Sequence, residues 1–324
     1  MTPYAILGTG WISEEFYAAS LFAELALQGV CSRTPEAGLA FAQRIGQPDV
    51  PVFTSVEALA AAPGIDAVYI ASPNSLHASQ CEALLQASKH VLCEKPIVTR
   101  PGDLERLQSL ARKKGLVLME AIMYLQTPAR KAVRTALPEL GEITSAHFDF
   151  SQLSSKYDDL AAGRFANVFL PGMQGGAWND LGVYCIYPAL DFFGPPQAMQ
   201  AQTHLLPNGV DSAGAALLRY PDFPVTLTWN KLGQSRGVTQ ILGTRGTITI
   251  RSISRFEGIT LHPRAGEPRA LAPSPQGQHR DTMRYEAQAF RDYIAGRPAA
   301  VPYEEASALA LAVAETMERI RKAW

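Results

Sequence analysis

Apolar residues in the first third of the chain fall in short unbroken runs, separated by amphipathic stretches. The run that starts at Pro3 carries Tyr4-Ala5-Ile6-Leu7 and is broken by Gly8-Thr9-Gly10; residues 11–23 then repeat apolar positions at helical spacing. Residues 25–31 are strand-like, the turn Ser32-Arg33-Thr34-Pro35 follows, and residues 36–45 predict a helix with Ala and Phe on one side. Val52-Phe53 is a short strand and Ser55 is placed to cap the next helix. Residues 66–71 form a continuous apolar strand fit for burial on both faces. A helix over 75–88, a strand over 90–93, a helix over 103–114 and a strand over 117–119 complete the series. This alternation predicts an α/β fold, a doubly wound Rossmann-type parallel sheet over residues 1–122.

Beyond one more helix at 128–137 the pattern changes. Segments 143–150, 199–206, 213–220, 225–229, 239–242 and 247–250 are β-rich, with Pro, Gly and Asn at hairpin intervals and a tight turn at Thr244-Arg245-Gly246. Helices return at 284–294 and 304–321. Residues 123–324 are expected to form an α+β domain: a mainly antiparallel sheet covered by helices on one face. The open face, expected to be apolar, is a surface for joining copies into a homodimer or homotetramer.

Composition narrows the function. Among 324 residues, 29 Lys and Arg balance 30 Asp and Glu for a net charge of -1. No basic stripe appears, which argues against a nucleic-acid partner, and no apolar stretch is long enough to span a membrane. Met1-Thr2-Pro3 leads into the first strand without a charged leader. Cys31, Cys81, Cys93 and Cys185 show no metal-binding spacing, so free thiols in a reducing cytoplasm and no metal site are expected. What remains is a cytoplasmic protein acting on small molecules.

Gly8-Thr9-Gly10-Trp11-Ile12-Ser13 lies at the first strand–helix junction, where two glycines permit a sharp turn and the approach of backbone N–H groups to a pyrophosphate. Ser13 replaces the third glycine of the fingerprint, and a plain turn is the competing reading. The second strand ends in Ser32-Arg33-Thr34 with no acid nearby; a guanidinium and two hydroxyls suit a 2′-phosphate, so NADP is expected over NAD. Ser72-Pro73-Asn74 closes the central strand, with His77 a turn later; these residues line a cofactor cleft, or Asn74 caps the helix and His77 lies on its surface. The strand 90–93 runs into Glu94-Lys95-Pro96, where Pro96 bars Lys95 from helical geometry and holds it at the carboxyl end of a parallel strand. Ligands bind at that end.

These motifs occur in order with Gly175-Gly176-Ala177-Trp178-Asn179-Asp180-Leu181-Gly182-Val183-Tyr184 and with Ile241-Leu242-Gly243-Thr244-Arg245-Gly246. Together they resemble the Gfo/Idh/MocA oxidoreductases, a family named for glucose–fructose oxidoreductase and inositol dehydrogenase. The resemblance implies a Rossmann domain followed by an open-faced α+β domain. It also implies hydride transfer between a nicotinamide cofactor and an alcohol carbon of a sugar, polyol or diol. Lys95 matches the family's lysine and Asp180 its aspartate; Tyr184 stands where many members carry histidine, as in the glucose–fructose oxidoreductase and dimeric dihydrodiol dehydrogenase branch.

The residues suit that chemistry. Asp180 and Tyr184, four apart, share one face of a regular helix, and Gly175-Gly176 allow close approach to the cofactor. Tyr184 is assigned as proton donor and acceptor, Lys95 as the cation that favours its phenolate, and Asp180 as the orienter of substrate or lysine. A core tyrosine beside Tyr187 is the competing reading for Tyr184. Leu125 occupies the position of an arginine found in dihydrodiol and xylose dehydrogenases, which suggests a less polar pocket. Tyr124 is an aromatic candidate beside it, and the loop 154–173, with Phe165 and Asn167, is a candidate lid. Two other classes stay open: a non-enzymatic NADP sensor, and a hydrolase using a tightly held nicotinamide transiently.

Overall fold

The computed structural model describes residues 1–273 and 278–324 and divides into two compact units. The first comprises Met1–Gln126 and a late segment ending at Ala308; the second starts at Thr127 and is completed by Leu309–Trp324.

In the first unit the order is β1 (Thr2–Leu7), α1 (Trp11–Ser20), β2 (Leu25–Cys31), α2 (Pro35–Arg44), β3 (Val52–Phe53), α3 (Val56–Ala61), β4 (Ala67–Ile70), α4 (Asn74–Gln86), β5 (His90–Glu94), α5 (Pro101–Lys114) and β6 (Leu118–Ala121). The strands pair in parallel in the order β3-β2-β1-β4-β5-β6, so the sheet reverses direction of growth between β1 and β4. Such a switch point opens a crevice at the carboxyl ends of the strands. The central strands β4 and β5 are buried at every apolar position, as two helical layers require.

Local chemistry sets the boundaries. The Thr34 hydroxyl accepts from the Ala37 N–H at 3.3 Å to begin α2, and Ser55 does the same for α3 from Ala58 at 3.1 Å. Gly115, in the left-handed region at φ 66°, ends α5. The cap of α4 is Pro73, and Asn74 is the first helical residue rather than its cap.

The second unit contains α6 (Pro128–Ala136), β7 (Ile143–Ser151), α7 (Tyr157–Ala161), α8 (Val183–Phe193), β8 (Ala198–Leu205), β9 (Asp211–Arg219), β10 (Pro224–Asn230), β11 (Thr239–Gly243), β12 (Gly246–Ser252), β13 (Glu257–Pro263) and β14 (Arg269–Ala270). Its sheet has the order β14-β13-β12-β11-β7-β10-β9-β8 and is antiparallel except where β10 runs parallel to β7. Val225, Leu227 and Trp229 of β10 are buried beneath α8, while Thr226, Thr228 and Asn230 point the other way. That other face is polar, not apolar as the sequence pattern led us to expect: His147 bonds Thr226 at 2.8 Å, and Thr228 and Ser151 both donate to Asp149 at 2.6 Å.

Two further helices follow, α9 (His279–Ile294) and α10 (Tyr303–Arg321). The sequence pattern places a single cut between residues 122 and 123, but the compact units interleave. Helix α9 returns to α1: the Arg280 N–H donates to Glu15 at 3.0 Å, Gln288 donates to the Phe22 carbonyl at 3.1 Å, and Arg291 pairs with Glu24 at 2.9 Å.

Gly8 makes the closest glycine approach to another backbone segment in the first unit, with φ at 112°, and a Cβ there would stand 2.5 Å from the Ala71 carbonyl oxygen. Both the conformation and the backbone neighbour exclude a side chain. Gly8→Ala is expected to lower unfolding stability by about 1–3 kcal/mol; a chemical-denaturation midpoint equal to wild type contradicts this packing.

Candidate active site

The turn after β1 exposes a helix end with nothing of its own to cap it. Gly10 is the N-cap of α1 and offers no side-chain bond, and a Cβ on Gly10 would meet no atom within 4 Å. Gly8 is thus explained by the protein's own packing and Gly10 is not. The open side of Gly10, with the first N–H groups of α1 unclaimed by a side chain, fits an anion such as a pyrophosphate. Trp11 stands beside it, 62% exposed and edge-on to His279 with ring centroids 5.1 Å apart. Arg44, which carries no signal in the sequence, braces the turn: it donates to the Thr9 carbonyl at 3.2 Å and pairs with Glu14 at 2.8 Å. At the third fingerprint position the Ser13 hydroxyl is buried without a described partner.

At the end of β2, Arg33 is exposed and no described residue pairs with it. The flanking hydroxyls are engaged in the turn: Ser32 donates to the Thr34 carbonyl at 2.5 Å and Thr34 caps α2. Arg33 is therefore the group best placed to hold a phosphate there, with the hydroxyls shaping its loop.

The turn after β5 is braced from three directions. The Tyr69 hydroxyl donates to Glu94 at 2.6 Å, the Ile97 N–H donates to Glu120 at 2.8 Å, and the His77 ring reaches the Pro96 carbonyl at 2.9 Å. The Lys95-Pro96 peptide is cis and Lys95 is half-buried. His77 is not a helix-surface residue. It is fully buried, its second nitrogen lies 2.9 Å from the Ser72 carbonyl, and no ring nitrogen remains for a ligand. Ser72 donates its hydroxyl to Gln80 at 2.6 Å. Burial drives the His77 pKa below the usual histidine value; the two carbonyls pull the other way, and the nearby charge of Lys95 adds to the lowering.

In the second unit, Asp180 lies in a π-helical turn, Trp178–Gly182, that leads into α8, and Tyr184 is in the first turn of α8. The regular four-residue face expected for the two residues is therefore interrupted, because π geometry has more residues per turn; such turns concentrate at functional sites. The Trp178 ring lies over Gly182, where a Cβ would collide with it. Gly175 and Gly176 have a local reason to be glycine: Cβ atoms there would strike the Val168 carbonyl and the Asp211 carboxylate, and Gly176 has φ 91°. Asp211 caps the turn, accepting from the Trp178 N–H at 2.6 Å, and burial pushes its pKa up. The Asp180 carboxylate pairs with Lys231, a residue that carries no signal in the sequence. Tyr184 is 8% exposed and packs edge-on against Phe150 at 5.5 Å.

The candidate substrate residues separate. Tyr124 and Leu125 are buried, Tyr124 completely, and present no open surface. Phe165 and Asn167 are exposed on the loop 154–173, which is not irregular: it contains α7 and two 3₁₀ turns, Asn167–Phe169 and Pro171–Met173. Among the described residues no cluster of metal ligands exists, no helix is long and apolar enough to cross a membrane, and all four cysteines are buried and unbridged.

Comparison with known proteins covers both units. A family model for oxidoreductases with an NAD-binding Rossmann fold matches residues 3–122, and the GFO/IDH/MocA C-terminal domain model matches residues 130–249. The chain is 36% identical to the uncharacterized oxidoreductase YgjR of Escherichia coli over 91% of its own length and 88% of the relative. It is also 36% identical to scyllo-inositol 2-dehydrogenase (NADP(+)) of Bacillus subtilis, over 90% and 87%. A crystal structure of a 3-ketoreductase from Actinomadura kijaniata, in complex with TDP-benzene and NADP, superposes with a TM-score of 0.83 at 25% identity, covering 99% of this chain and 97% of that one.

The lowered His77 pKa has a stability consequence. The unfolded ring gains its proton near pH 6.5 while the folded ring does so only at lower pH. The unfolded state therefore binds more protons below about pH 6.5, and the stability His77 contributes is present above that pH and lost as pH falls. The stability advantage of wild type over His77→Gln is expected to shrink between pH 7.5 and 5.5, about one unit on either side of the free-histidine value. An advantage that stays constant in denaturant titrations contradicts the assignment; His90, also lowered by burial, is common to both proteins and cancels.

Proposed function

The chain belongs to the Gfo/Idh/MocA oxidoreductase family, and on that premise we propose that it transfers a hydride between NADP and an alcohol or carbonyl carbon of a sugar, polyol or diol-like small molecule. The observation that carries the cofactor half of this reading is Gly10: a glycine with no neighbour to explain it, at an uncapped helix end beside a sheet switch point. Arg33, without a described partner at the end of β2, favours the 2′-phosphate of NADP. Ser72, Pro73 and Glu94 border the same strand ends, and His77 holds the turns that carry them. The domain roles follow: cofactor binding in the first unit, substrate binding in the second.

Bound nicotinamide supplies the hydride acceptor or donor. The protein's part is the proton. A free phenol, with a pKa of about 10, is a poor base at neutral pH, and in this reading the Lys95 ammonium favours the Tyr184 phenolate so that Tyr184 exchanges the proton of the reacting hydroxyl. Asp180 orients substrate hydroxyls, and Phe165 and Asn167 contact substrate from the loop. Scyllo-inositol is the first substrate to test, since an NADP-dependent relative is named for it; Leu125, buried in the core, supplies no surface by which to choose between sugars and less polar diols. We place the enzyme in the cytoplasm as a homodimer or homotetramer joined through the polar outer face of the second unit's sheet.

Purified protein with NADP⁺ and a panel of inositols, aldoses and diols should generate absorbance at the NADPH band; silence across the panel, in both directions, contradicts the reaction. Arg33→Ala is expected to lower kcat/KM for NADP⁺ roughly 10- to 100-fold, the loss of charge-assisted bonds, while NAD⁺ use changes little. An unchanged cofactor preference removes Arg33 from phosphate recognition. Tyr184→Phe should lower kcat by about 10²- to 10⁴-fold; turnover near wild type removes the tyrosine from proton transfer.

A further inference from the structure

Lys231 follows the last residue of β10, is 7% exposed, and pairs through its ammonium with the more open carboxylate of Asp180. A buried ammonium is costly unless a partner compensates it, and an apolar side chain of similar length would fill the same space at lower cost. The charge therefore has a reason beyond packing. Both ends of the pair rise from fixed ground. The Lys231 N–H donates to the Ser212 carbonyl at 2.8 Å, extending the β9 ladder, and the Asn230 side chain accepts from the Leu232 and Gly233 N–H groups at 2.7 and 2.9 Å. On the other side, Asp211 caps the π-helical turn, and Asn179 is held between the Gln174 carbonyl at 2.9 Å and Arg321 at 2.7 Å.

Lys231 also holds the start of the candidate lid. Its carbonyl accepts from the Ser154 N–H at 2.9 Å, and the neighbouring Asn230 carbonyl accepts from Gln152 at 2.9 Å. The far end of the loop is tied separately, by Asn208 donating to the Phe169 carbonyl at 2.8 Å. Between these anchors lie α7 and an exposed Arg164–Asp159 pair. One residue thus fixes the aspartate with its side chain and the root of the loop with its backbone.

We propose that Lys231 is a positioning residue, which fixes the rotamer and charge of Asp180 so that its remaining acceptor capacity meets a polyol hydroxyl in one set direction, while anchoring the loop 154–173 at the same strand end. The proposal rests on the reading of Asp180 as a substrate-orienting residue. Without the ammonium the carboxylate turns toward solvent, and substrate is held in a geometry unsuited to hydride transfer even where it still binds.

The test compares Lys231→Met, Lys231→Arg, Asp180→Asn and the Lys231→Met/Asp180→Asn double variant, with NADP⁺ and scyllo-inositol or, should wild type not turn it over, the panel substrate with the highest kcat/KM. Lys231→Met is expected to lower kcat by ~100-fold with KM for NADP⁺ within about twofold of wild type, and to move the acid limb of the kcat profile to higher pH as the carboxylate loses its cation. Lys231→Arg, which keeps the charge, should recover most of the loss. The double variant should match Asp180→Asn, because residues acting as one unit are not additive. It buries no lone charge, whereas Asp180→Asn strands the buried Lys231 ammonium, and so it carries the test if either single variant does not fold: a double-variant kcat within about twofold of wild type overturns the proposal, as does a further fall of more than about tenfold below a folded Asp180→Asn. Wild-type kcat in Lys231→Met beside an impaired Asp180→Asn overturns the proposal alone. Wild-type kcat in Asp180→Asn overturns the reading of Asp180 and the proposal with it.

Discussion

The His77 ring, clamped between the Ser72 and Pro96 carbonyls, ties the turn after β4 to the turn after β5. Those turns sit at adjacent carboxyl ends of a parallel sheet, where the fold leaves backbone unpaired and where ligands bind. Strands can bring residues to such an edge but cannot hold them there. A buried ring with two fixed contacts does so with no exposed side chain of its own, and Tyr69 and Glu120 hold the same corner from neighbouring strands. The backbone that carries Lys95 is thereby held by rigid neighbours.

The second unit reaches the same end by other means. The helix that carries Tyr184 does not start as a regular α-helix. Asp211 caps it, Gly176 lets that carboxylate approach, and the Trp178 ring lies over Gly182 through the widened turn. Trp178 packs at 4.4 Å on Trp229 of β10 and donates its indole N–H to the Met317 carbonyl at 3.1 Å. The turn that carries Asp180 is therefore set by core packing, and Lys231, just past Trp229 on the chain, receives the aspartate from the strand side. Packing and electrostatics converge on one carboxylate.

Much of this was legible in the sequence because period and punctuation are local. Leu25–Cys31 reads as a strand, and Ser55 and the Pro128 helix start obey capping rules that need no tertiary information. The family resemblance singled out Lys95, Asp180 and Tyr184 as candidates. What was hidden depends on partners distant in the chain. Lys231 lies 51 residues from Asp180, and Arg44 meets Thr9 only once β2 and α2 have packed. The burial of His77 and the return of α9 to α1 are likewise tertiary. The strand Glu257–Pro263 escaped notice because its buried Glu257 and the glycine after it disguise an otherwise alternating pattern. The polarity of the open sheet face was readable in Thr226, Thr228 and Asp149, but only once strand register had assigned them to one side.

The central claim is that a nicotinamide dinucleotide lies along the strand ends of the first unit. A crystal structure of the NADP⁺ complex tests it most directly. The account predicts the pyrophosphate against the turn from Gly8 to Ile12, the 2′-phosphate at Arg33, and the nicotinamide end toward Glu94 and Lys95. A dinucleotide bound elsewhere, or one whose 2′-phosphate lies away from Arg33, contradicts it.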